Sequence, residues 1–358
     1  MPKGRFPPAW RGHTIPMETP ASVPLRSRVA VVTGGSAGVG RALVRELAER
    51  GWDVGILARG EDGLEAAAAE VRAAGRRALA VPTDVSIAAE VEAAADQVEA
   101  ELGPIEAWVN NAFAGAICFF DELSPEEYDR ITAVTYGGYV NGTRAALARM
   151  RPRDRGTVVQ VGSALAFRGI PLQAAYCGAK HAIHGFTDSV RSELLHAKSR
   201  VRIAEVHLPA VNTPQFDWVL HRGVEHHPQP VPPIYQPEVP ARVIAQVLDR
   251  PRRQALVGLP TFLTIWADRL APSLLDRYLA RTNVEAQQNE AKDPPGAEAN
   301  LWDPLPGDHG AHGSFDDSAH RGRPTAWLSA HGGPMHWAGA GAVLAAAGTV
   351  VRRARARS

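Results

Sequence analysis

The strongest constraint on the fold is an alternation of short apolar segments with amphipathic helical segments, which runs from residue 28 to about residue 258. Apolar runs of five to seven residues are typical of buried strands, and a 3.6-residue apolar spacing is typical of helices. The predicted strands cover residues 28–33, 53–58, 77–82, 105–110, 156–161, 201–207 and 255–258. The predicted helices between them cover residues 38–50, 61–74, 86–102, 125–150 and 173–197, and Ser86 is the expected cap of the third.

Strands separated by helices of this length pair in parallel through right-handed crossovers. The strands are apolar throughout, as expected when helices cover both faces of a sheet. The sequence therefore predicts an α/β fold with a doubly wound parallel sheet (Rossmann fold), in which ligands bind beyond the carboxyl ends of the strands. We expect one catalytic domain, residues 28–282, after an N-terminal arm, residues 1–27. Residues 283–334 read as an irregular Pro/Gly/His-rich tail, with disorder as one alternative.

The end of the chain combines an apolar run, residues 335–351, with four arginines that follow it, within a last segment of residues 335–358. A bilayer-spanning helix needs ~20 apolar residues, and this run is shorter. Two interpretations remain open: a small hydrophobic helix, or a membrane anchor whose arginines stay in the cytosol. The N-terminal arm lacks the apolar run of a secretory signal. Only Cys118 and Cys177 are present, which suits a reducing compartment, so we expect a cytoplasmic protein with membrane association through this segment as the alternative.

A glycine-rich turn, TGGSAGVG at residues 33–40, joins the first predicted strand to the first predicted helix. Glycine adopts backbone conformations that other residues avoid, and a helix N-terminus attracts phosphate. The strand–turn–helix context is the one that a dinucleotide-binding motif requires. The residues expected to contact the cofactor here are Gly34, Ser36, Ala37, Gly38, Val39 and Gly40.

The ends of the next strands indicate which dinucleotide binds. A carboxylate after the second strand would bind the ribose hydroxyls of NAD, but this chain has Arg59, which can pair with a 2′-phosphate. NADP(H) is therefore favoured over NAD(H), and a merely solvated arginine is the alternative. Asp84 and Val85 follow the third strand and are expected near the adenine, and Asn111 follows the fourth.

Three residues on the later elements carry the expected chemistry. Ser163 follows the fifth predicted strand, and Tyr176 and Lys180 lie four residues apart on one face of the next helix. Tyrosine has a pKa near ~10, and a neighbouring ammonium group lowers it. Such a tyrosine can exchange a proton with a carbonyl oxygen while hydride is transferred, and a serine hydroxyl can hold the same oxygen.

Together these motifs resemble the short-chain dehydrogenase/reductase family over residues 28–258. The segments that carry the resemblance are residues 33–40, Asp84, Asn110 to Ala112, Ser163, the Tyr176–Lys180 motif and Pro209 to Thr213. The resemblance implies that Ser163 positions the substrate oxygen, Tyr176 transfers the proton, and Lys180 lowers the tyrosine pKa and holds the nicotinamide ribose. It also implies cofactor contacts for Pro209 and Thr213, and a homo-oligomer formed through the helices at residues 125–150 and 173–197.

The sequence departs from the family pattern at three positions. Phe113 replaces the glycine of Asn-Asn-Ala-Gly, Ala210 replaces the glycine of Pro-Gly, and Thr135 aligns with the asparagine of the proton relay. Asn141 lies six residues further along the helix and points to a different part of it. The missing asparagine keeps a second hypothesis open, that of a nucleotide-binding sensor or scaffold with weak or no catalysis. Dehydration or epimerisation chemistry is a third hypothesis that nothing in the sequence favours.

Bulky apolar residues surround the expected substrate loop, residues 212–236, and favour a lipophilic alcohol or carbonyl substrate. The candidates, some of which could equally be core residues, are Phe113, Phe119, Phe120, Leu165, Phe167, Phe216, Trp218, Val219, Leu220 and Tyr235. No metal is expected, because neither His226-His227 nor His309 and His312 with their nearby aspartates has zinc-site spacing. The net charge of +1 gives no reason to expect nucleic-acid binding.

Overall fold

The computed structural model describes residues 28–291 and 298–322. The N-terminal arm and the apolar C-terminal segment, residues 335–358, lie outside these residues, and so do the predictions made for them. Within the described part of the chain, no helix is both long enough and apolar enough to span a bilayer.

The main sheet has seven parallel strands in the order β3-β2-β1-β4-β6-β7-β9, which confirms the predicted doubly wound fold. A separate parallel pair joins β5 to β8. The strand bounds are β1 Arg28–Thr33, β2 Trp52–Ala58, β3 Ala78–Pro82, β4 Ile105–Asn110, β5 Ala116–Ile117, β6 Thr157–Ser163, β7 Arg202–Leu208, β8 Leu220–His221 and β9 Gln254–Leu256. Strands β1, β2, β4 and β6 are buried almost throughout, because helices cover both faces of the sheet and form two apolar cores with it.

The helices follow the predicted alternation, with one interruption. Their bounds are α1 Gly38–Glu49, α2 Glu61–Ala73, α3 Ala88–Glu101, α4 Pro125–Thr132, α5 Gly138–Met150, α6 Ala174–His196, α7 Glu238–Asp249, α8 Gly258–Leu270 and α9 Pro272–Ala286. The long helix predicted over residues 125–150 is divided by a π-helical turn, Ala133–Gly137. The prediction that Ser86 caps α3 was wrong, because its hydroxyl donates to Asp84 and the cap position belongs to Ile87.

The turn between β1 and α1 has the shape that the glycines predicted. Gly34 and Gly38 have φ angles of +63° and +56°, which L-residues with side chains rarely adopt. A Cβ at Gly40 would lie 2.0 Å from the carbonyl oxygen of Gly34, so only glycine allows α1 to start this close to the turn. This close approach aims the first amides of α1 over the carboxyl edge of the sheet.

The chain beyond residue 282, for which an irregular tail was predicted, is partly packed against the domain. Helix α9 continues past the predicted boundary at residue 282 to Ala286. Residues 298–322, hereafter the strap, form no helix or strand, yet they pack along the carboxyl edge of the sheet. Leu301 and Ala311 of the strap are buried, each in one of the two cores. The irregular tail is therefore partly a fixed element of the domain.

Candidate active site

A cavity of about 690 Å³ opens at the carboxyl edge of the main sheet. It brings together residues that sequence analysis assigned to catalysis and to cofactor binding. The predicted residues that line it are Gly34, Ser36, Ala37, Gly38, Val39, Arg59, Asp84, Val85, Asn111, Ser163, Tyr176, Lys180, Pro209 and Thr213. Gly40 does not line the cavity, and its contribution is the close packing of α1 described above.

Asn111 holds the glycine-rich turn in place. Its side-chain amide donates to the carbonyl oxygens of Thr33 and Gly34, both at 3.1 Å. The Thr33 hydroxyl accepts from the backbone amides of Asn111 and Ala112, which ties the ends of β1 and β4 together. Asn111 is thus positioned as a support of the turn at the cavity wall.

The strap also contacts the glycine-rich turn, at the amino end of α1. The backbone N–H of Gly38, the first residue of α1, donates to the carbonyl oxygen of Gly310 at 3.0 Å. N–H groups in the first turn of a helix have no partner within the helix and are common ligands of phosphate. One such donor is therefore already used by the strap.

Arg59 extends from the end of β2 toward the strap. Its guanidinium donates to the carbonyl oxygens of Leu301 at 3.3 Å, Trp302 at 2.6 Å and Asn300 at 2.5 Å. Burial lowers the pKa of Arg59, and the nearby charge of Arg130 lowers it further. The predicted partner of Arg59 was a 2′-phosphate, and in this structure backbone carbonyls hold its donors.

Asp84 lines the cavity at the end of β3, but its carboxylate has protein partners. It accepts from Arg130 at 2.6 Å and from the hydroxyl and amide of Ser86. Burial alone would raise the pKa of Asp84, and these hydrogen bonds outweigh it and hold the pKa below its usual value. Val85 is buried beside Gly138, where an added Cβ would lie 2.6 Å from its side chain.

Tyr176 and Lys180 project from α6 beside Ser163, the last residue of β6. Burial raises the pKa of Tyr176, and the hydrogen bond with the Ser163 hydroxyl offsets this only in part. Burial also lowers the pKa of Lys180 to about 7. Burial dominates both pKa shifts, because removing either charge from water is costly. That a charged Lys180 lowers the tyrosine pKa stays a prediction.

Tyr139 is a partner of Lys180 that sequence analysis missed. The Lys180 ammonium donates to the Tyr139 hydroxyl at 3.0 Å and to the carbonyl oxygen of Val161 at 2.8 Å, and the Tyr139 hydroxyl donates to the same carbonyl. The exposed fraction of Tyr139 is 1%, so its phenol ring is held in the interior beneath the site. No local residue pattern marks Tyr139, because its contact with Lys180 joins two separate helices, α5 and α6.

Thr135, at the position aligned with the relay asparagine, lies in the π-helical turn. Its hydroxyl donates to the carbonyl oxygen of Ala114 at 2.8 Å and accepts from the Ala114 amide at 2.9 Å. π-Helical turns are frequent at functional sites. Asn141 instead donates to the carbonyl oxygen of Val85, in agreement with its predicted different direction. Thr135 therefore ties the π-helical turn to the loop after β4.

The mouth of the cavity is largely apolar. Five of the ten predicted substrate-side residues line it: Phe113, Leu165, Phe216, Trp218 and Val219. The Phe113 ring contacts the Tyr176 ring edge to face, with centroids 5.6 Å apart. The other five, Phe119, Phe120, Phe167, Leu220 and Tyr235, do not line the cavity, because they lie in neighbouring loops or in the core. Sequence analysis missed Leu275, Tyr278 and Leu279 of α9, whose helical spacing was a usable signal.

The histidines singled out in the sequence bind separate partners. His312 contacts Asp316 and Glu238, and His227 lies 3.5 Å from Asp217. A different cluster, not anticipated, places His184, Glu205 and His207 within 4.8 Å of one another. Burial would raise the pKa of Glu205, and the hydrogen bond with His184 together with the His207 ring 3.8 Å away holds it at about 2. Arg191 also lies 3.8 Å from this carboxylate, so the cluster has the charges of a buried ion pair.

Comparison with known proteins places this geometry in a family. The family model for short chain dehydrogenase matches residues 28–220. The "Uncharacterized oxidoreductase YxnA" of Bacillus subtilis (strain 168) is 30% identical over 281 residues, which are 78% of this chain and 79% of that protein. The 2-(S)-hydroxypropyl-CoM dehydrogenase 3 of Xanthobacter autotrophicus is 34% identical over 169 residues, 47% of this chain and 66% of that protein.

Solved structures agree with the sequence relatives. A metagenomic short-chain oxidoreductase in complex with NADP has a TM-score of 0.54 and 28% identity, and covers 64% of this chain and 96% of that one. An alcohol dehydrogenase from the archaeon Thermococcus sibiricus, complexed with 5-hydroxy-NADP, has a TM-score of 0.55 and 26% identity over 64% of this chain and 95% of that one. The chain therefore belongs to the short-chain dehydrogenase family of NAD(P)-dependent oxidoreductases.

Proposed function

We propose that this protein is an NADP(H)-dependent oxidoreductase that interconverts a lipophilic alcohol and its ketone or aldehyde, with Tyr176 as the acid/base. The observation that carries the proposal is one cavity lined by the glycine-rich turn, by Ser163, Tyr176 and Lys180, and by an apolar mouth. A nicotinamide cofactor supplies hydride to a carbonyl carbon, or accepts it from an alcohol carbon.

The residues around the cavity fit such a cofactor. The amino end of α1 and the positive-φ glycines give phosphate groups close access to backbone donors. Asn111 keeps that turn in shape, and Thr213 lies against it, 3.1 Å from the position of a Cβ at Gly38. Lys180 lines the cavity beside Tyr176. A 2′-phosphate would meet the guanidinium group of Arg59 at the cavity wall, with the positive charge of Arg130 nearby, which favours NADP(H) over NAD(H).

In the reducing direction, Tyr176 gives its phenolic proton to the substrate oxygen. The phenol O–H bond breaks, a new O–H bond forms on the product alcohol, and the negative charge moves to the phenolate. Ser163 lies beside Tyr176 and can donate a hydrogen bond to the same substrate oxygen. The Lys180 ammonium, in the same buried pocket, stabilises the phenolate as it forms.

The substrate class follows from the mouth of the cavity. Phe113, Leu165, Phe216 and Val219, together with Leu275 and Leu279 of α9, offer apolar surface near the reacting groups. A site with one polar constellation and apolar walls binds a substrate whose carbonyl or hydroxyl is its main polar group. Cytoplasmic location and assembly into a homo-oligomer stay predictions.

The test is turnover of a panel of lipophilic ketones and aldehydes with NADPH and NADH, followed at the nicotinamide absorbance band. We expect NADPH consumption by the native protein and none by Tyr176→Phe, which should still bind the dinucleotide because the phenol oxygen alone is removed. Full activity of Tyr176→Phe would contradict the proposed acid/base. Tight dinucleotide binding without turnover across the panel would instead favour the sensor or scaffold function.

A further inference from the structure

We propose that the strap competes with the 2′-phosphate of NADP(H) for Arg59 and so determines how strongly the protein discriminates between NADPH and NADH. The proposal rests on the proposed function in one respect, namely that the cavity binds a nicotinamide dinucleotide. The strap then acts as an internal ligand of the adenine end of the cavity.

The terminal nitrogens of Arg59 are already bonded to the strap. They donate to the carbonyl oxygens of three successive strap residues, Asn300, Leu301 and Trp302. A 2′-phosphate binds arginine through the same terminal N–H groups. Carbonyl and phosphate oxygens are both hydrogen-bond acceptors and repel each other at this distance. A phosphate therefore gains the three donors of Arg59 that these carbonyls hold only when the carbonyls move away.

The positive charge around Arg59 favours a phosphate over the strap as its partner. Arg130 is close enough to lower the pKa of Arg59, and Asp84 pairs with Arg130. Arg130 also donates to the carbonyl oxygen of Leu301 at 3.1 Å, so the hydrogen bonds from the two guanidinium groups to the strap end on neutral carbonyl oxygens. The Asp303 carboxylate of the strap acts on Arg59 through its charge alone. A dianionic phosphate would bind these two guanidinium groups more strongly than the strap carbonyls that are bonded to them in this structure.

Contacts away from Arg59 also hold the strap, so that its position is fixed independently of that arginine. Leu301 is 2% exposed and packs in the apolar core beneath the sheet. Further along, the Asp308 carboxylate pairs with Arg41 at 3.2 Å, and the Gly307 amide donates to Asp62. The Gly310 carbonyl accepts from the first amide of α1. These anchors oppose displacement by NADPH, whereas NADH has no 2′-phosphate and leaves the Arg59 contacts undisturbed.

A reversible disulfide tests the proposal in the full chain. An ideal Cβ at Gly60 would lie 3.4 Å from the Cβ of Pro304, close to the ~3.5–4.5 Å of disulfides. Gly60 has φ −81°, which a cysteine adopts without strain. The double variant Gly60→Cys, Pro304→Cys can therefore be locked with oxidised glutathione and released with dithiothreitol. Cys118 and Cys177 are buried and free, and Gly60→Cys alone serves as the control for oxidation.

The locked and released forms should differ for one cofactor only. We expect the locked form to bind NADPH at least ~10-fold more weakly than the released form, because the carbonyls cannot leave Arg59. NADH affinity should agree within about twofold, since its ribose carries no phosphate. Equal NADPH affinity in the two forms would overturn the proposal, because the seated strap would then be compatible with the 2′-phosphate.

A second variant tests the strap proposal if the disulfide does not form. Leu301→Gln removes the apolar anchor, so we expect NADPH binding to tighten relative to NADH and the gain to vanish when Arg59→Ala is added. A ratio of NADPH to NADH affinity that is unchanged or falls in Leu301→Gln would refute the strap as a competitor. If no variant binds a dinucleotide, the proposed function is refuted, and the strap proposal with it. This result is distinguishable from an unchanged or lower ratio of NADPH to NADH affinity, which refutes the strap proposal alone.

Discussion

The two ends of the cavity are built in different ways. At the proton-transfer end, Tyr176 and Lys180 lie on one turn of α6 and contact Ser163 and Val161 on the adjacent strand β6. At the adenine end, Arg59 of β2 meets residues 300–302, which are more than 240 positions away in the chain. The first end is fixed by a helix and a buried strand, and the second by a segment without regular structure.

Because of this difference, we expect the two ends of the cavity to have different free energies of local opening. Elements buried in a sheet open only with the whole domain, whereas irregular segments can open locally at much lower free energy. The two ends also differ in burial, because the hydrogen bonds of Lys180 are buried whereas those between Arg59 and the strap are partly exposed. We therefore expect changes at the proton-transfer end to alter chemistry, and changes at the adenine end to alter which cofactor binds.

The largest effect is expected at Lys180. Lys180→Met should reduce turnover by about 10²–10⁴-fold, because the phenolate of Tyr176 loses its counter-charge. The same variant should be more stable by roughly 0.5–2 kcal/mol, since burying the ammonium is unfavourable and its removal leaves the Tyr139 hydroxyl bonded to Val161. Steady-state kinetics and thermal unfolding measure the two effects.

The pH dependence of the stability gain provides the control. The folded pKa of Lys180, about 7, lies below the unfolded value of about 10.5. Between these values the unfolded chain binds the extra proton, so native stability rises with pH through this window, and the Met variant should lack that slope. A Met variant that is less stable, or that keeps the slope, would contradict the burial argument.

The fold was largely predictable because strand and helix signals are local. Strand β1 was predicted with its observed bounds, and α6 within one residue at each end. The π-helical turn at Ala133–Gly137 was not predictable, since both flanking segments have helical periodicity. The packing of residues 298–322 was equally hidden, because a segment without periodicity shows no sign of what it contacts.

A second prediction compares two leucines in the same apolar core, Leu57 of β2 and Leu301 of the strap. Leu57→Ala should lower the free energy of unfolding by about 2–5 kcal/mol, because a cavity remains in the sheet. Leu301→Ala should leave global unfolding nearly unchanged and increase hydrogen exchange in residues 298–322, because the strap can detach by itself. An equal loss of global stability in both variants would show that the strap unfolds together with the sheet.

The site was predictable only where chain-local spacing carries the chemistry. Tyr176, Lys180 and the glycine-rich turn were identified from motifs, and they line one cavity. Tyr139 was missed because its role depends on a contact between two helices, α5 and α6. The strap carbonyls at Arg59 were also missed, since backbone acceptors have no residue signature.

A third prediction concerns Tyr139 as a positioning residue for Lys180. The Tyr139 hydroxyl accepts a hydrogen bond from the ammonium, so Tyr139→Phe should lower the Lys180 pKa further below 7, by about 1 unit. The pH above which the reductase rate falls should shift down accordingly, with little change in KM for the carbonyl substrate. Tyr136→Phe is the matched control, because the Tyr136 ring contacts Phe186 edge to face instead. Identical pH profiles of the native protein and Tyr139→Phe would exclude the positioning role.

The smallest effect is expected at His312, which anchors the far part of the strap. Burial lowers the His312 pKa, but hydrogen bonds to Glu238 and Asp316 outweigh it and raise the pKa above the usual value. The protonated ring therefore stabilises the strap fully below about pH 6.5, and this contribution is lost as pH rises through the folded pKa.

Because His312 is partly exposed, the contribution should stay near the ~0.2–1 kcal/mol of surface ion pairs. Opening of residues 298–322, measured by hydrogen exchange and corrected for intrinsic rates, should increase by roughly two- to fivefold between pH 6 and pH 8.5. His312→Gln should abolish this increase and His309→Gln should keep it, because His309 packs on Trp218 and not on carboxylates. The amides of β4 and β6 should show no such dependence, since His312 does not contact the sheet strands. A pH-dependent opening that persists in His312→Gln would contradict this role of His312, because another titrating group would then have to supply the pH dependence of the strap.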